Sequence, residues 1–438
     1  MAGVADGVDP RDLLEAVVRR ATTDPDSCEP AELQAVDHAV FDAFEALSDH
    51  NPIPEITGLV CPQERQCEDP MAGCVRARTG EPIEVGSIEA FIAHWMRANR
   101  HRMETYPWFH GHAVGAPTGK RVMVIGTGPA GLVAAAELAI DGHEVVMYET
   151  LHEPGGVLMY GIPEFRLPND IVQHEIERIM ALGVTIEVNR PIADAREHMK
   201  RHGFDAAFVA TGAGTAKHMG IPGENLTGVY TANEFLVRVN FMKAYRFPEY
   251  TTPVPDVMGK RVAVFGGGNV AMDSARCALR LGAEEVTVMY RRSDAEIPAR
   301  LEEHVVAQRE GVQFQYLVTP HELVGEDGRL VAVGYYDNTL GEPDEDGRRP
   351  VAVTDQPRQT PAEIAIIAIG QDPNPLLDLS AYDLDRTGRI MVDDETLETS
   401  VPGVYAGGDT VAGTGGTVIF AAGCGLMAAR AIHGRLST

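Results

Sequence analysis

Residues 121–131 read RVMVIGTGPAG, a short apolar run that ends in glycines at the spacing Gly-x-Gly-x-x-Gly. The pattern predicts a strand, a tight turn and a helix that together bind the pyrophosphate of a dinucleotide. The first glycine permits the turn, the second lets the backbone approach the pyrophosphate, and the third lets the helix pack on the strand. Unpaired N–H groups at the start of the helix then face the phosphates. The residues predicted to hold the dinucleotide are Gly126, Gly128, Pro129, Ala130 and Gly131.

The next predicted strand, HEVVMYE, ends at Glu149 and indicates which dinucleotide this first motif binds. A carboxylate at that position accepts hydrogen bonds from the ribose hydroxyls of the cofactor. The same carboxylate repels a 2′-phosphate, because both groups are negatively charged. The first motif therefore predicts FAD or NAD and disfavours NADP(H).

The C-terminal pair Gly408-Asp409 favours FAD over NAD. It follows an apolar strand, and an aspartate there can bind a ribityl hydroxyl of a flavin. Gly416, Thr417 and Val418 then open a helix whose N-terminus can stabilise negative charge on a reduced flavin ring. The alternative is a capped turn that binds no ligand. We predict a FAD site that includes these residues.

Residues 266–271, GGGNVA, repeat the motif in its Gly-x-Gly-x-x-Ala form, 140 residues after Gly126. The strand that follows ends in Arg291-Arg292 instead of an acid. Because arginine pairs with phosphate oxygens through two hydrogen bonds, this second motif predicts NADP(H). The alternative is a solvated arginine pair on a surface loop. The residues predicted to bind NADP(H) are Gly266, Gly268, Asn269, Val270, Asp273, Arg291 and Arg292, and further cofactor contacts are predicted at Gly156, Arg166, Thr211, Gly212 and Gly370.

The spacing of these motifs predicts an α/β fold with two Rossmann-like dinucleotide-binding domains, one inserted in the other. The chain before the first motif shows helical periodicity without strand–helix alternation. The predicted divisions are a helical domain (1–117), a FAD-binding domain in two parts (118–225 and 363–438) and an inserted NADP(H)-binding domain (226–362).

Composition narrows the range of partners and compartments. The 438 residues carry a net charge of −27, which argues against nucleic-acid binding because such proteins need basic patches that neutralise phosphates. No apolar run reaches the 18 residues of a membrane-spanning helix, and the start lacks the features of a secretory signal. Six cysteines are too sparse for a disulfide scaffold. We therefore expect a cytoplasmic protein whose cysteines are thiols or metal ligands.

A resemblance to a known family rests on four further stretches of sequence. Residues 154–168, PGGVLMYGIPEFRLP, resemble a signature of the glutamate synthase small-subunit family, which includes the large subunit of NADH-dependent ferredoxin:NADP oxidoreductase and the N-terminal half of dihydropyrimidine dehydrogenase. The stretches GGGNVAMDSAR, YRRSDAEIPA and NPIPEITGLVCPQERQCE are also similar to it, so the resemblance extends from about Asn51 to the end. It implies FAD in the outer domain, NADP(H) in the inserted domain and iron–sulfur clusters in the helical domain.

The cysteine pattern departs from that family, whose members usually hold two 4Fe–4S clusters in the helical domain. The early CxxC run is absent, and three extra residues displace Cys74 from its usual spacing after Cys67. The remaining cysteines suffice for one 4Fe–4S cluster, because thiolates are the usual ligands. The resemblance places Glu89 where relatives use a Glu or Gln as a cluster ligand, so one possible ligand set is Cys28, Cys61, Cys67 and Glu89. The other is the four cysteines Cys28, Cys61, Cys67 and Cys74. The alternatives are a helical domain without a cluster and ligands shared with another subunit.

These features predict an NADPH-dependent FAD oxidoreductase that serves as an electron-transfer subunit. Hydride transfer needs alignment of two rings and little acid–base help, so no catalytic side chain is predicted. The first motif lacks the CxxxxC of a disulfide reductase, so electrons leave by another route. The predicted partner is a catalytic subunit or ferredoxin, either glutamate synthase-like or 2-oxoacid oxidoreductase-like, in a hetero-oligomer. The alternative is a stand-alone flavin oxidoreductase without a cluster, of the diaphorase type.

Overall fold

The computed structural model describes residues 28–48, 50–67, 69, 73–105, 114–246, 248–249, 255–343, 349–374, 376–413 and 416–437. Three helices come first, followed by two parallel sheets with helices against them. The helical elements are α1 (Pro30–Ser48), α2 (Pro54–Val60) and α3 (Val85–Met103). Among the described residues, no helix is both long and apolar enough to cross a membrane.

The helical part is held together by a buried carboxylate on α1. Asp37, which is 0% exposed, accepts a hydrogen bond from Trp95 Nε1 at 3.0 Å. Arg102 donates to both oxygens of Asp37, at 2.8 and 2.7 Å. Because Trp95 and Arg102 both lie on α3, this carboxylate joins the two long helices.

Asp37→Ala is expected to lower the free energy of unfolding of the helical part by about 3 kcal/mol, because Arg102 loses its buried partner. This figure is near the low end for buried pairs, since a quarter of the Arg102 side chain is exposed. Urea unfolding followed by tryptophan fluorescence measures the loss. The control Glu104→Ala breaks an exposed pair with Arg100 and is expected to cost under about 0.5 kcal/mol. Equal losses in the two variants would contradict the prediction.

The first sheet has the strand order β15-β4-β1-β2-β3, and its pairs are parallel. The edge strand β15 comes from the C-terminal part of the chain, as expected for a domain that is interrupted by another. Its strands are β1 (Arg121–Ile125), β2 (Glu144–Tyr148), β3 (Thr185–Glu187), β4 (Ala206–Val209) and β15 (Val404–Ala406), and its helices are α4 (Pro129–Ile140), α5 (Val157–Tyr160), α6 (Asn169–Ala181), α7 (Ala195–His202) and α11 (Val418–Leu436).

The second sheet repeats this plan in the order β6-β13-β7-β8-β9, also with parallel pairs. Strand β13 belongs to it although that strand lies beyond residue 362, where the predicted boundary falls. Its strands are β6 (Val229–Thr231), β7 (Arg261–Phe265), β8 (Glu285–Tyr290), β9 (Gln313–Tyr316) and β13 (Ile364–Ile367), and its helices are α8 (Ala232–Leu236), α9 (Asn269–Arg280) and α10 (Leu301–Glu310).

The remaining strands form two antiparallel sheets. Strands β10 (Val318–Glu326), β11 (Arg329–Leu340) and β12 (Val351–Pro361) form one three-stranded sheet. Strands β5 (Ala213–Ala216) and β14 (Gln371–Pro373) pair with each other at the two crossings between the parallel sheets. The chain thus passes twice between the domains through one narrow two-stranded connection. The predicted α/β class, with one Rossmann-like domain interrupting another, is confirmed.

Candidate active site

One cavity of about 1070 Å³ lies at the carboxyl ends of the strands of both parallel sheets, and both glycine motifs line it. Most of the predicted cofactor residues therefore come together at one site. Those that line the cavity are Gly126, Gly128, Pro129, Ala130, Glu149, Gly156, Arg166, Thr211, Gly212, Gly266, Gly268, Asn269, Val270, Asp273, Arg291, Gly370, Gly408, Asp409, Gly416, Thr417 and Val418. Gly131 and Arg292 are not among the lining residues.

The glycines of the first motif have the steric roles that their spacing predicts. Gly126 has a φ of +104°, and a Cβ atom there would lie 2.4 Å from the carbonyl oxygen of Ala210. A Cβ on Gly131 would lie 2.1 Å from the carbonyl oxygen of Gly126. Gly131 thus lets α4 pack on the turn without facing the cavity. A Cβ on Gly128 would meet no protein atom within 4 Å, so this position stays open toward the cavity.

Glu149 is held at the edge of this turn by three donors. Its carboxylate accepts hydrogen bonds from the backbone N–H of Thr127 at 3.1 Å, from the Thr127 hydroxyl, and from the N–H of Leu151 at 3.0 Å. The Thr127 hydroxyl also accepts from the N–H of Gly155 at 2.9 Å. Glu149 is only 7% exposed, yet it lines the cavity. Thr127 is a positioning residue that the sequence did not reveal, because any residue fits its place in the motif.

A second set of polar groups, most of them partly buried, surrounds the C-terminal motif. Arg389 donates to the carbonyl oxygen of Asp409 at 3.1 Å, and the Thr410 hydroxyl accepts from the N–H of Gly212 at 2.8 Å. Burial raises the pKa of Asp409, and burial followed by the nearby charges of Glu149 and Asp409 raises the pKa of Tyr160 to about 12. Tyr160 and Arg389 line the cavity, and the sequence motifs did not point to them.

Helix α11 begins at the cavity with its N-terminus capped. The Thr417 side chain accepts a hydrogen bond from the N–H of Phe420 at 3.3 Å. The N–H of Ile419 faces Cys61, so among the first N–H groups of the helix that of Val418 has no partner within the helix. The predicted helix start at Val418 is therefore confirmed as a backbone feature, and it faces the same cavity as Glu149.

The second motif has matching geometry. Gly266 has a φ of +130°, and a Cβ atom there would lie 2.2 Å from the carbonyl oxygen of Ala368. A Cβ on Gly268 would again meet no protein atom within 4 Å. The Asn269 side chain accepts a hydrogen bond from the N–H of Arg300 at 2.8 Å. That bond ties the glycine turn to the start of α10.

The two arginines after β8 have different positions. Arg291 is exposed and lines the cavity, whereas Arg292 is partly buried beside it. Ser293 and Glu296 form a capping box that fixes the short turn after them. Within the described part of the chain neither arginine pairs directly with a carboxylate, although hydrogen bonds from Ser293 and, to a smaller extent, the charge of Arg292 lower the pKa of Glu296.

The early cysteines occupy two surroundings. Cys61 is buried, lies beside Glu89 and Cys67, and faces the backbone N–H of Ile419 in the first turn of α11. Burial, followed by the charge of Glu89, raises the pKa of Cys61 to about 12. Cys28 instead packs in an apolar cluster with Val36, Val40 and Trp95.

Cys74 lies on the turn next to Cys67, since a Cβ on Gly73 would contact the Cys67 carbonyl oxygen at 2.7 Å. Backbone N–H groups of Ile83, Ala77 and Arg76 lower the pKa of the Cys74 thiol. Glu89 accepts hydrogen bonds from Thr57 at 3.0 Å and Asn51 at 3.4 Å. Glu89 and Cys67 are thus near enough to Cys61 for their charges to act on it, but the ligand atoms of these three residues do not all lie within 4.8 Å of one another.

A different group of possible metal ligands converges elsewhere in the described part of the chain. Ligand atoms of Glu55, His174 and Glu175 lie within 4.8 Å of one another. Arg97 pairs with Glu55 at 3.0 Å and Arg178 with Glu175 at 2.8 Å, so this group is an ion-pair cluster between α2 and α6. Convergence on one point is not required of the predicted ligands, because each cysteine of a 4Fe–4S cluster binds a different iron atom.

Residues 120–425, which carry both glycine motifs, match the family described as pyridine nucleotide-disulphide oxidoreductase. The chain belongs to this family. Residues 33–101 of the oxidoreductase match a second family, dihydropyrimidine dehydrogenase domain II, described as a 4Fe–4S cluster domain. The predicted α/β oxidoreductase with FAD, NADP(H) and a 4Fe–4S cluster is thereby confirmed.

The oxidoreductase is similar to subunits of several larger enzymes. It is 39% identical to the NADP(+)-dependent formate dehydrogenase subunit beta of Moorella thermoacetica, over 92% of this chain and 57% of the relative. It is 33% identical to the glutamate synthase (NADPH) small chain of Escherichia coli, over 86% of this chain and 79% of the relative. The chain therefore also belongs to the glutamate synthase small-chain family, as predicted. It spans less than two thirds of the length of the formate dehydrogenase subunit.

Solved structures share the fold of the oxidoreductase at low sequence identity. FprA of Mycobacterium tuberculosis in complex with NADPH has a TM-score of 0.60 and 20% identity, over 74% of this chain and 85% of FprA. The thioredoxin reductase of Lactococcus lactis has a TM-score of 0.55 and 22% identity, over 73% of this chain and 99% of the reductase. At this identity the likeness establishes the arrangement of the two parallel sheets.

Proposed function

We propose that this chain exchanges hydride between NADP(H) at the second glycine motif and FAD at the first, and passes electrons through its helical domain to a partner subunit. The observation that carries the proposal is that both motifs open on one cavity with opposite charges at their ribose ends. Glu149 lies at one end and Arg291 at the other. When bound, the nicotinamide and flavin rings supply the hydride chemistry and the cluster supplies one-electron transfer.

In the flavin half, the side chains bind and orient. Gly128 admits the pyrophosphate, while Glu149, fixed by Thr127 and Leu151, accepts from the ribose hydroxyls. Asp409 supports a ribityl contact because it is partly buried and lines the same cavity. The first turn of α11 presents N–H groups to the far end of that site, where they stabilise negative charge.

In the nicotinamide half, Gly268 admits the pyrophosphate and Arg291 pairs with the 2′-phosphate at the edge of the cavity. Arg292 lies beside it and strengthens the positive potential there. The capping box formed by Ser293 and Glu296 keeps the arginines at the end of β8. No general acid or base is assigned, because the reaction needs alignment more than proton transfer.

The cluster site that we propose contains Cys61, Cys67 and Glu89, with either Cys28 or Cys74 as the fourth ligand. Its position supports a role as electron exit. Cys61 faces Ile419 in α11, and its neighbours Val60 and Pro62 line the flavin cavity. A cluster there would lie against the same helix start that borders the flavin site.

The proposed partner is a catalytic subunit of a hetero-oligomer. Three relatives support it by name: a formate dehydrogenase subunit beta, a glutamate synthase small chain and an NADPH-Fe(3+) oxidoreductase subunit beta from Geobacter sulfurreducens. We also propose a cytoplasmic location, because none of the six cysteines is paired in a disulfide.

Replacing both Arg291 and Arg292 with alanine is expected to raise the KM for NADPH much more than the KM for NADH. Each hydrogen bond to a charged group contributes about 1.5–3 kcal/mol. One or two such bonds correspond to about tenfold to several hundredfold in affinity. Steady-state kinetics with an artificial electron acceptor measures both constants. The control Arg309→Ala removes an exposed arginine that does not line the cavity, and an equal rise for both nucleotides in the double variant would contradict the assignment.

A further inference from the structure

The segment of residues 163–168, between α5 and α6, belongs to both parallel-sheet domains at once. Leu167 is fully buried in the core of the first domain. Phe165, two residues earlier, packs against the core of the second domain. We call this segment the interdomain segment. Arg166 stands between Phe165 and Leu167 in the sequence and lies between the two cores.

The guanidinium of Arg166 is paired with carboxylates of the second domain. Its Nη1 donates to both oxygens of Asp273, at 2.9 and 2.7 Å, and its Nε lies 2.9 Å from Glu303 Oε1. The side chains of Arg166 and Asp273 are 6% and 5% exposed. Both residues line the cavity, as predicted, but their charged groups face each other.

Further ion pairs connect Glu303 to other charged residues of the second domain, and the charges of the whole network balance. Arg276 pairs with Glu303, and it also contacts Glu310 at 2.9 Å. Arg280 contacts the same Glu310 oxygen at 2.6 Å. Three arginines and three acids therefore balance. The guanidinium carbons of Arg276 and Arg280 lie 4.4 and 4.0 Å from the centroid of the Phe165 ring, so the interdomain segment is held by ring contacts as well.

The partners of Arg166 lie on the elements that form the second glycine motif. Asp273 is on the first turns of α9, which begins at Asn269 immediately after Gly268. Glu303 is in the first turn of α10, and the residues just before α10 are tied to the motif, since Ala299 N–H donates to the Gly267 carbonyl at 3.0 Å. A contact at Asp273 and Glu303 therefore fixes the turn that faces the nucleotide.

We propose that Arg166, Asp273 and Glu303 form an interdomain clamp that sets the nicotinamide-nucleotide site against the flavin site. Arg166 and Asp273 are positioning residues in this proposal and do not bind a cofactor directly. The two domains are joined covalently only through the β5–β14 crossings, so their orientation depends on contacts of this kind. The proposal rests on the proposed hydride exchange, because that exchange requires the two sites to keep a fixed orientation relative to each other.

The test compares Arg166→Met with Arg261→Met in the purified full chain. The first variant removes the charge that crosses between the domains. The control removes the ion pair of Arg261 with Glu363, whose partners both lie in the second domain and outside the Arg166 network. Anaerobic stopped-flow mixing with saturating NADPH gives the rate constant for reduction of bound FAD and the long-wavelength charge-transfer absorbance, which requires stacked rings. Flavin content and thermal melting report whether each variant is folded.

Arg166→Met is expected to lower the FAD reduction rate by about 10- to 100-fold, because a displacement of about 1 Å has effects of that order. The charge-transfer band is expected to weaken while the Kd for NADPH changes less than the rate constant. Arg261→Met is expected to keep the wild-type rate and band. A folded, FAD-containing Arg166→Met protein with the wild-type rate and band would overturn the clamp.

A second variant and a second measurement cover the remaining outcomes. Arg166→Lys keeps the charge and loses the paired geometry, so it is expected to recover part of the rate. Recovery no better than in the methionine variant would overturn the ion-pair explanation. Hydrogen–deuterium exchange of residues 163–168 and 269–280 is expected to rise in Arg166→Met and not in Arg261→Met. If the wild-type protein shows no reduction of FAD by NADPH, the proposed function fails, and the exchange data still decide the clamp: unchanged exchange refutes it.

Discussion

Gly128→Ala is expected to leave a folded protein that has largely lost FAD, whereas Gly268→Ala is expected to keep FAD and bind NADPH weakly. The two positions are geometrically equivalent. Gly128 has φ and ψ of −72° and −177°, and Gly268 has −84° and 177°, so alanine fits either backbone. Because an added Cβ meets no protein atom within 4 Å at either position, only a bound pyrophosphate would contact it.

The size of the effect follows from inserting one methyl group into a closely packed contact. Overpacking of this kind costs about 1–3 kcal/mol. That range is about 5- to 150-fold in affinity. The flavin absorbance per protein after gel filtration measures the first effect, and the KM for NADPH measures the second. Each variant is the control for the other. Loss of FAD from Gly268→Ala, or wild-type values for both cofactors in both variants, would contradict the assignment of the two motifs.

The features that sequence predicts well here are those whose cause is local in the chain. A glycine at positive φ, such as Gly126 or Gly266, is required by the turn between a strand and the next helix. Both turns, both parallel sheets and the interruption of one by the other follow from that repeated unit. The division of the chain at residue 362 stays a prediction; strand β13, just beyond it, pairs with β7 of the second sheet.

The features that sequence misses depend on contacts between distant residues. Arg166 and Asp273 belong to two different sequence motifs. Neither motif indicates that the two side chains, which are 107 residues apart in the sequence, form an ion pair. Thr127 is similar, since its hydroxyl has a role only once Glu149 and Gly155 have been brought beside it. The neighbourhood of Cys61 and Ile419 joins opposite ends of the chain. Such pairs are set by domain packing, which a local pattern does not encode.

Cys61→Ala is expected to remove iron and acid-labile sulfide from the protein while NADPH still reduces the bound FAD. The reason is that Cys61 is the cysteine that lies beside both another proposed ligand, Glu89, and the start of α11 at the flavin cavity. Its pKa of about 12 means that the free thiol is protonated at neutral pH, so iron binding must displace that proton. Electron transfer to a one-electron acceptor is expected to be lost together with the iron.

The matched control is Cys277→Ala. Cys277 is buried in α9, where burial raises the pKa of its thiol and no proposed ligand lies nearby, so its replacement is expected to leave the iron content unchanged. Iron and sulfide analysis, with stopped-flow reduction of FAD, measures both outcomes. Wild-type protein without iron, or Cys61→Ala with its full iron content, would contradict the proposed cluster site.

The same assay identifies the fourth ligand, because the two candidates have opposite surroundings. Cys28 lies in an apolar cluster with Val36 and Val40, and Cys74 lies among backbone N–H groups that lower its pKa. If Cys28 is the ligand, Cys28→Ala loses iron and Cys74→Ala keeps it; the reverse result assigns Cys74. N–H groups around a sulfur stabilise a thiolate, whereas an apolar cluster around an unbound thiol does not. Iron content after anaerobic reconstitution of both variants is the measurement that separates the two candidates.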